Sequence, residues 1–284
     1  MLLIGTTLYR SDGDAERRQH TAAASLRALK GVASVNLQFE DRQEFAEDSA
    51  LETMAVLRKD SVQVAGVPGK RRPVLNEIFC ALAKGAERRG CKTFAYVNSD
   101  ILVSQAAVDR VVAGQHELCL FSREDFDQKG QPVGIEIHGV DFFASDVRWW
   151  KLHARRFRPY IIASFCWDPV YAAVMLCHGQ GILLNREEYI RHEKHPASSP
   201  SSPSAAFNGY LCALDRLYFS IWCTYIHRLK EMRARGANEA EELALQREIF
   251  RWPPPFSERV IQAGRSLKAR VRHLLKKPHP ASSA

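Results

Sequence analysis

The sequence predicts an α/β protein: an open, mostly parallel, twisted sheet flanked by helices and followed by a helical C-terminal extension. Three observations lead there. Apolar runs such as "MLLIGTTLY" are continuous, as strands buried on both faces of a parallel sheet are. Segments with helical periodicity and recognisable ends lie between them. Strands alternating with helices build a sheet with right-handed crossovers.

The elements follow in order. "MLLIGTTLY" is the first strand. In "SDGDAERRQHTAAASLRALKG", Asp12 or Asp14 caps a helix, Ala15, Ala22, Leu26 and Leu29 form its inner face, and Gly31 ends it. "VASVNLQF" is a second strand and ends in Glu40 and Asp41. Ser49 to Arg58 reads as a weaker helix ahead of "SVQVAG". In "VPGKRRPVLNEIFCALAKGAERRG", Pro73 suits a first turn. Val74, Leu75, Ile78, Phe79, Leu82 and Ala86 make one stripe there, and Gly90 is the stop. Thr93 to Val97 is a central strand followed by Asn98-Ser99-Asp100. Ser104 caps a helix from Gln105 to Ala113, "ELCLF" is a strand, and "GIEIHGVDFFAS" holds one or two more. Asp168 reads as the N-cap of a helix from Pro169 to Cys177.

Three regions are expected: an α/β unit over 1–195, a Ser/Pro-rich loop over 196–209, and a helical extension over 210–284. The extension holds an aromatic helix over 211–235, a short helix over 239–250, "WPPP" and a basic final helix.

With 46% hydrophobic and 25% charged residues among 284, the chain has the material for a sizeable core. No secretory signal is expected, because Arg10, Asp12 and Asp14 follow the first apolar run too closely. No stretch reaches the roughly 18 apolar residues of a spanning helix. Seven cysteines without C-x-x-C spacing read as buried free thiols of a reducing compartment, which argues against structural zinc. The net charge of +8 sits in the tail: residues 251–284 hold eight Lys/Arg and one acid, while the rest is nearly balanced. A nucleic-acid-binding core is therefore not expected.

Ligands of open parallel sheets bind beyond the carboxyl ends of the strands. Asn98 to Asp100, Thr6 to Arg10, and Glu40/Asp41 all fall there. A carboxylate in that crevice can share Mg²⁺ or Mn²⁺ with a diphosphate. Asn, Ser and Asp are also ordinary turn residues. The run from "GKRRPVLNEIF" through "YVNSDILV", with "SRED", "HGVDFFA", "FCWDPVYA" and "RHEKH" after it, resembles the GT-A-fold glycosyltransferases, in particular a bacterial family-2-like group. In that family a D-x-D-like motif ends a central strand and holds the metal bound to the donor diphosphate. "NSD" stands in its place, with Asp100 at the metal-binding acid and Asn98 departing from the usual first acid.

The resemblance implies a metal-dependent glycosyltransferase. It would move a sugar from a nucleotide-diphosphate donor to a glycan or lipid-linked acceptor in cell-surface polysaccharide synthesis, with inversion favoured. Thr6, Thr7, Tyr9 and Arg10 would border the nucleotide, Asp41 would accept from the base, and Lys70 and Arg71 would approach the phosphates. Asp168 would be the general base, and Trp167 a flat face for a sugar. Asp100 with His192 or His195 would hold Mn²⁺ or Mg²⁺. Arg123 and Asp141 would contact donor sugar or diphosphate. The alternatives are a non-catalytic binding protein of the same fold and a nucleotidyltransferase, the latter without a Gly-rich phosphate loop. Residues 256–277 read as a basic amphipathic helix, suited either to docking on the domain with its charges in water or to an anionic membrane surface. A cytoplasmic protein acting at the inner face of the membrane is the expected setting.

Overall fold

The structure, a computed structural model, describes residues 1–41, 51–66, 71–114, 116–195, 203–254 and 256–276. The chain runs β1 (Leu2–Thr6), α1 (Gly13–Ala28), β2 (Val32–Phe39), β3 (Glu52–Leu57), α2 (Ser61–Ala65), α3 (Leu75–Arg88), β4 (Thr93–Val97), β5 (Ile101–Val103) and α4 (Gln105–Ala113). It continues through β6 (Leu118–Phe121), β7 (Arg123–Phe126), β8 (Pro132–Glu136), β9 (Phe142–Asp146), α5 (Val147–His153), α6 (Trp167–His178), β10 (Gly181–Leu184) and β11 (Ile190–Glu193). Four helices close it: α7 (Pro203–Leu214), α8 (Arg216–Ala234), α9 (Glu239–Ile249) and α10 (Phe256–Lys276).

The main sheet has seven strands in the order β10-β6-β9-β4-β1-β2-β3, all parallel except β9, which runs antiparallel between β4 and β6. β1 and β4 are its apolar centre, and Leu3, Ile4, Phe94 and Ala95 are fully buried. Gly5 lets α3 lie close: a Cβ there would run into Leu82 of α3 and Leu37 of β2. Phe79 of α3 packs edge-on against Phe94 and Phe143, with ring centroids 5.8 and 6.0 Å away.

A second sheet of four strands, β5-β11-β7-β8, stands beside the first. It arises because two chain segments leave the main sheet at its carboxyl edge. β4 passes through Asn98-Ser99-Asp100 into β5, and β6 passes through Ser122 into β7. β11 then inserts between β5 and β7 and sets His192 in register with Ile101 on one side and Asp125 on the other.

Four expectations are corrected. The segment expected as a helix from Ser49 to Arg58 forms β3 over Glu52–Leu57; its start, residues 49–50, lies outside the described residues. Buried Met54 and Leu57 close the edge of the sheet beside β2, and that burial outweighs helix propensity. The expected loop over 196–209 is helical from Pro203, a residue suited to a first helical turn; 196–202 lie outside the described residues. The expected helix over 211–235 is two helices, α7 and α8, that meet at Asp215. The Asp215 carboxylate accepts hydrogen bonds from Arg158 (2.8 Å) and the Tyr160 hydroxyl (3.2 Å). Finally, α6 begins at Trp167 with Cys166 as its N-cap residue, so Asp168 lies in the first turn.

The helical extension is not separate in its packing. Leu211, Trp222, Tyr225 and Leu229 share one hydrophobic cluster with α3, α5 and α6. The described cysteines are all unbridged, with Cys91, Cys119, Cys166, Cys177 and Cys212 buried. No helix among the described residues is long and apolar enough to cross a membrane.

Candidate functional site

A cleft of about 470 Å³ opens at the carboxyl edge of the main sheet, within the usual size of small-ligand sites. Its floor is made by the segment after β1. The Leu8 N–H donates to Asn36 Oδ1 (2.9 Å), and Gln38 Nε2 donates to the same oxygen (2.9 Å) and to the Leu8 carbonyl. From α1, Gln19 accepts from the Tyr9 N–H (2.9 Å) and donates to the Tyr9 carbonyl (3.1 Å). Buried amide side chains thus hold Thr7–Tyr9 open to the cleft.

On the opposite side a polar chain runs between the two sheets. Asn98 Nδ2 donates to Asp141 Oδ1 (2.7 Å), and Arg123 donates to Asp141 Oδ2 and Asp125 Oδ1 (both 2.8 Å). His192 Nδ1 stands 3.0 Å from Asp125 Oδ1. Asp100 Oδ2 lies 3.6 Å from His192 Nε2 and 3.1 Å from His195 Nε2. Burial would raise the Asp100 carboxyl pKa, but hydrogen bonds from and charge on His192 and His195 outweigh it, and the carboxyl is held well below the usual range. For Asp125, burial is likewise outweighed by Arg123 and then His192, so that carboxyl is lowered too.

The Asp100, His192 and His195 donor atoms all lie within 4.8 Å of one another. Their 3.1 and 3.6 Å separations from Asp100 approach the roughly 3 Å edge of an octahedron with bonds of about 2.1 Å. Asp125 fixes His192 through Nδ1, as a carboxylate behind a metal-ligating imidazole does, and turns Nε2 toward Asp100. One carboxylate and two imidazoles suit Mn²⁺ better than Mg²⁺, which prefers oxygen.

Of the residues expected at the site, Thr7, Tyr9, Arg71, Asn98 and Asp100 line the cleft, as do Arg123, Asp141, His192 and His195. Thr6 is buried at the end of β1, and Arg10 is exposed. Arg71 is clamped between Asp41 and Asp60 (2.6 Å each) and lies 4.3 Å over the Phe39 ring. Asp41 is therefore engaged by Arg71 at the cleft rim. Lys70 lies outside the described residues.

Trp167 is buried, with its ring 5.7 Å from Phe143 and 6.4 Å from Tyr96. No open ring face for a sugar is found there, because the core takes it up. Asp168 is not on the cleft wall. Its Oδ2 accepts from the Val140 N–H (3.1 Å), beside Gly139, where a Cβ would come within 3.0 Å of that oxygen. Burial, and after it the negative charge of Asp141, push the Asp168 carboxyl up to about 7.

Four contributors escape the sequence reading: Asn36, Gln38, Gln19 and Asp125. The first two carry a usable signal, since two amides interrupt the otherwise apolar end of β2. Asp125 sits two residues after Arg123, which donates to it, and the pairing of β7 with β11 brings it to His192.

No family model and no curated protein matches the chain. Solved structures do. Residues 1–349 of S. aureus TarS match with a TM-score of 0.50 at 11% identity, covering 98% of this chain and 93% of that one. The same TarS segment in complex with UDP-GlcNAc matches at 0.49 and 13% identity, covering 98% and 81%. The galactosyltransferase LgtC in complex with donor and acceptor sugar analogues matches at 0.33 and 12% identity, covering 74% and 94%. Identities this low speak to fold. With a mostly parallel sheet that opens its crevice after β1 and β4, and a course that follows TarS along nearly its whole length, the chain has a GT-A-like fold.

Proposed function

We propose that this protein is a metal-dependent glycosyltransferase that moves a sugar from a nucleotide-diphosphate donor to a glycan or lipid-linked acceptor, in the synthesis of cell-surface polysaccharide. The observation that carries the reading is the convergence of Asp100, His192 and His195, with His192 oriented from behind by Asp125. These three residues would hold Mn²⁺ or Mg²⁺. Once bound, the ion supplies Lewis-acid stabilisation of the charge developing on the leaving nucleoside diphosphate.

The protein's own groups do the rest. Thr7–Tyr9, pinned by Gln19 and Asn36, border the nucleotide. Arg71 presents a cation at the cleft rim, from which Asp41 and Asp60 restrain its motion. Thr6 supports the nucleotide segment from below. Arg10 adds positive charge at the approach. Asp141, held by Asn98 and Arg123, keeps lone pairs for donor-sugar hydroxyls.

Asp168, half-buried next to the cleft-lining Asp141, serves as general base for the acceptor hydroxyl in an inverting, in-line displacement. Its raised pKa supports this role, because a carboxyl near 7 is about half ionised at neutral pH and takes a proton readily. Trp167 keeps that carboxylate desolvated. The reaction would proceed in the cytoplasm.

The test is an assay of nucleoside diphosphate release from a panel of nucleotide sugars with glycan acceptors and Mn²⁺. Wild type should turn over at least one donor. Asp168→Asn should lose turnover and keep donor binding. Retained turnover in that variant removes Asp168 as base, and no turnover or donor binding in wild type removes the reading.

A further inference from the structure

α10 does not do what an amphipathic helix on a protein surface ordinarily does. At 100° per residue, Phe256, Val260, Leu267 and Val271 fall within an arc of roughly 60°. A helix with such a stripe normally turns it inward. Here all four side chains are exposed, Phe256 at 73% and Leu267 at 62%. The helix instead meets α7 and α8 through another face: the Ser266 hydroxyl donates to the Leu214 carbonyl (2.9 Å), and Ala269 is half-buried. Ser266 lies roughly 110° around the helix from the middle of the stripe. With Ile261 added, five of the twelve large apolar side chains exposed among the described residues belong to this one helix.

The charge on α10 states what the stripe would meet. Lys268 and Arg270 are exposed on the two sides of the stripe, and Arg265 is exposed beyond Ile261. The helix contains six Lys/Arg and a single acid, Glu258. A second copy of the chain would bring like charges together around the stripe. An anionic bilayer surface complements both parts: the apolar side chains enter the acyl boundary and the cations meet the headgroups. No described helix is suited to crossing the membrane, so the contact is one of lying on it. From the outward stripe and its cationic borders, we infer that α10 docks this protein on anionic phospholipid membranes. This inference does not depend on the catalytic reading.

The experiment is co-sedimentation of the full chain with large vesicles of phosphatidylethanolamine and phosphatidylglycerol, against vesicles of phosphatidylcholine alone, at low and high salt. Wild type should sediment with the anionic vesicles, weakly with neutral ones, and less at high salt. The pair Leu267→Glu with Val271→Glu, and separately Lys268→Glu with Arg270→Glu, should each lower the partition coefficient by about tenfold or more. All four positions are exposed, so melting curves should not move; a variant that fails to fold leaves the other pair to decide. Equal binding to both vesicle types, no binding, or binding untouched by either pair overturns the inference. Self-association abolished by Leu267→Glu with Val271→Glu, without vesicle binding, also overturns it and assigns the stripe to a second copy. Binding that falls with the charge pair but not with the apolar pair overturns it in favour of a generic polyanion.

Discussion

Asn98 stands where the D-x-D-like pattern usually carries an acid, and its amide donates 2.7 Å to Asp141. An acid there would face the Asp141 carboxylate. Asn98→Asp is therefore predicted to destabilise the protein by about 1–3 kcal/mol at pH 8. The facing pair would take up a proton as pH falls, which raises a folded-state pKa. The loss should thus shrink toward pH 5, as denaturant titrations at the two pH values would register; an unchanged midpoint would count against the pairing. Asp168 also links stability to pH. Its folded pKa of about 7 lies above the ordinary 3.8, so the folded state holds the proton longer. Its contribution to stability is unpenalised below pH 4, declines as pH rises from 4 to 7, and is flat above. Asp168→Asn should remove that slope and be more stable at pH 8, by roughly 4 kcal/mol as a ceiling. As the proposed general base, the same group predicts kcat/KM rising with pH through an apparent pKa near 7. Asp125→Ala should leave the fold intact yet weaken Mn²⁺ binding about 10–100-fold, read by electron paramagnetic resonance, because His192 would lose its anchor.

At the scale of elements, the site depends on how segments leave the main sheet. The chain crosses into the small sheet after β4 and after β6, and β11 closes that sheet by placing His192 between β5 and β7. Strand β4 is readable from its sequence because five residues are apolar or β-compatible and a polar turn follows. Helix α3 is readable from its stripe. The small sheet is not: β5 has three residues, and β7 and β11 are rich in charge, so only pairing across 60 to 90 residues defines them. β3 escapes for a related reason, since "ETMAVL" fits either period and sheet-edge burial decides. α7 has a part in the cleft that nothing in its sequence announces. Asn208 accepts from the Ile161 N–H (2.9 Å) and donates to its carbonyl (2.8 Å), ahead of Ile162 and Ala163 on the cleft wall. Asn208→Ala would leave two buried backbone groups unpaired. It should cost about 1–3 kcal/mol in thermal or urea unfolding and weaken ligand binding at that wall; an unchanged melting temperature would contradict it.

At the scale of the whole molecule, the α/β class and the place of the crevice can be read from strand–helix alternation and from the polar residues after β1 and β4. The Asp100, His192 and His195 set is legible as residue types in order, because a short acid and two imidazoles have few uses together. Its assembly is not, since 91 residues separate Ile101 from the His192 it pairs with. Trp167 and Asp168 show the opposite limit. Their sequence suggests an open acceptor face, while packing against Phe143 and Tyr96 turns the indole into core and sets the acid behind Gly139–Val140. The central claim is that Asp100 and its histidines hold a divalent ion shared with a nucleoside diphosphate. It is tested most directly by calorimetric titration of uridine, guanosine and cytidine diphosphates, with and without Mn²⁺, into wild type and Asp100→Ala. The account predicts that at least one diphosphate binds in a Mn²⁺-dependent manner to wild type and that this dependence disappears in Asp100→Ala. Nucleotide binding indifferent to Mn²⁺ and to Asp100, or none under any condition, would contradict it.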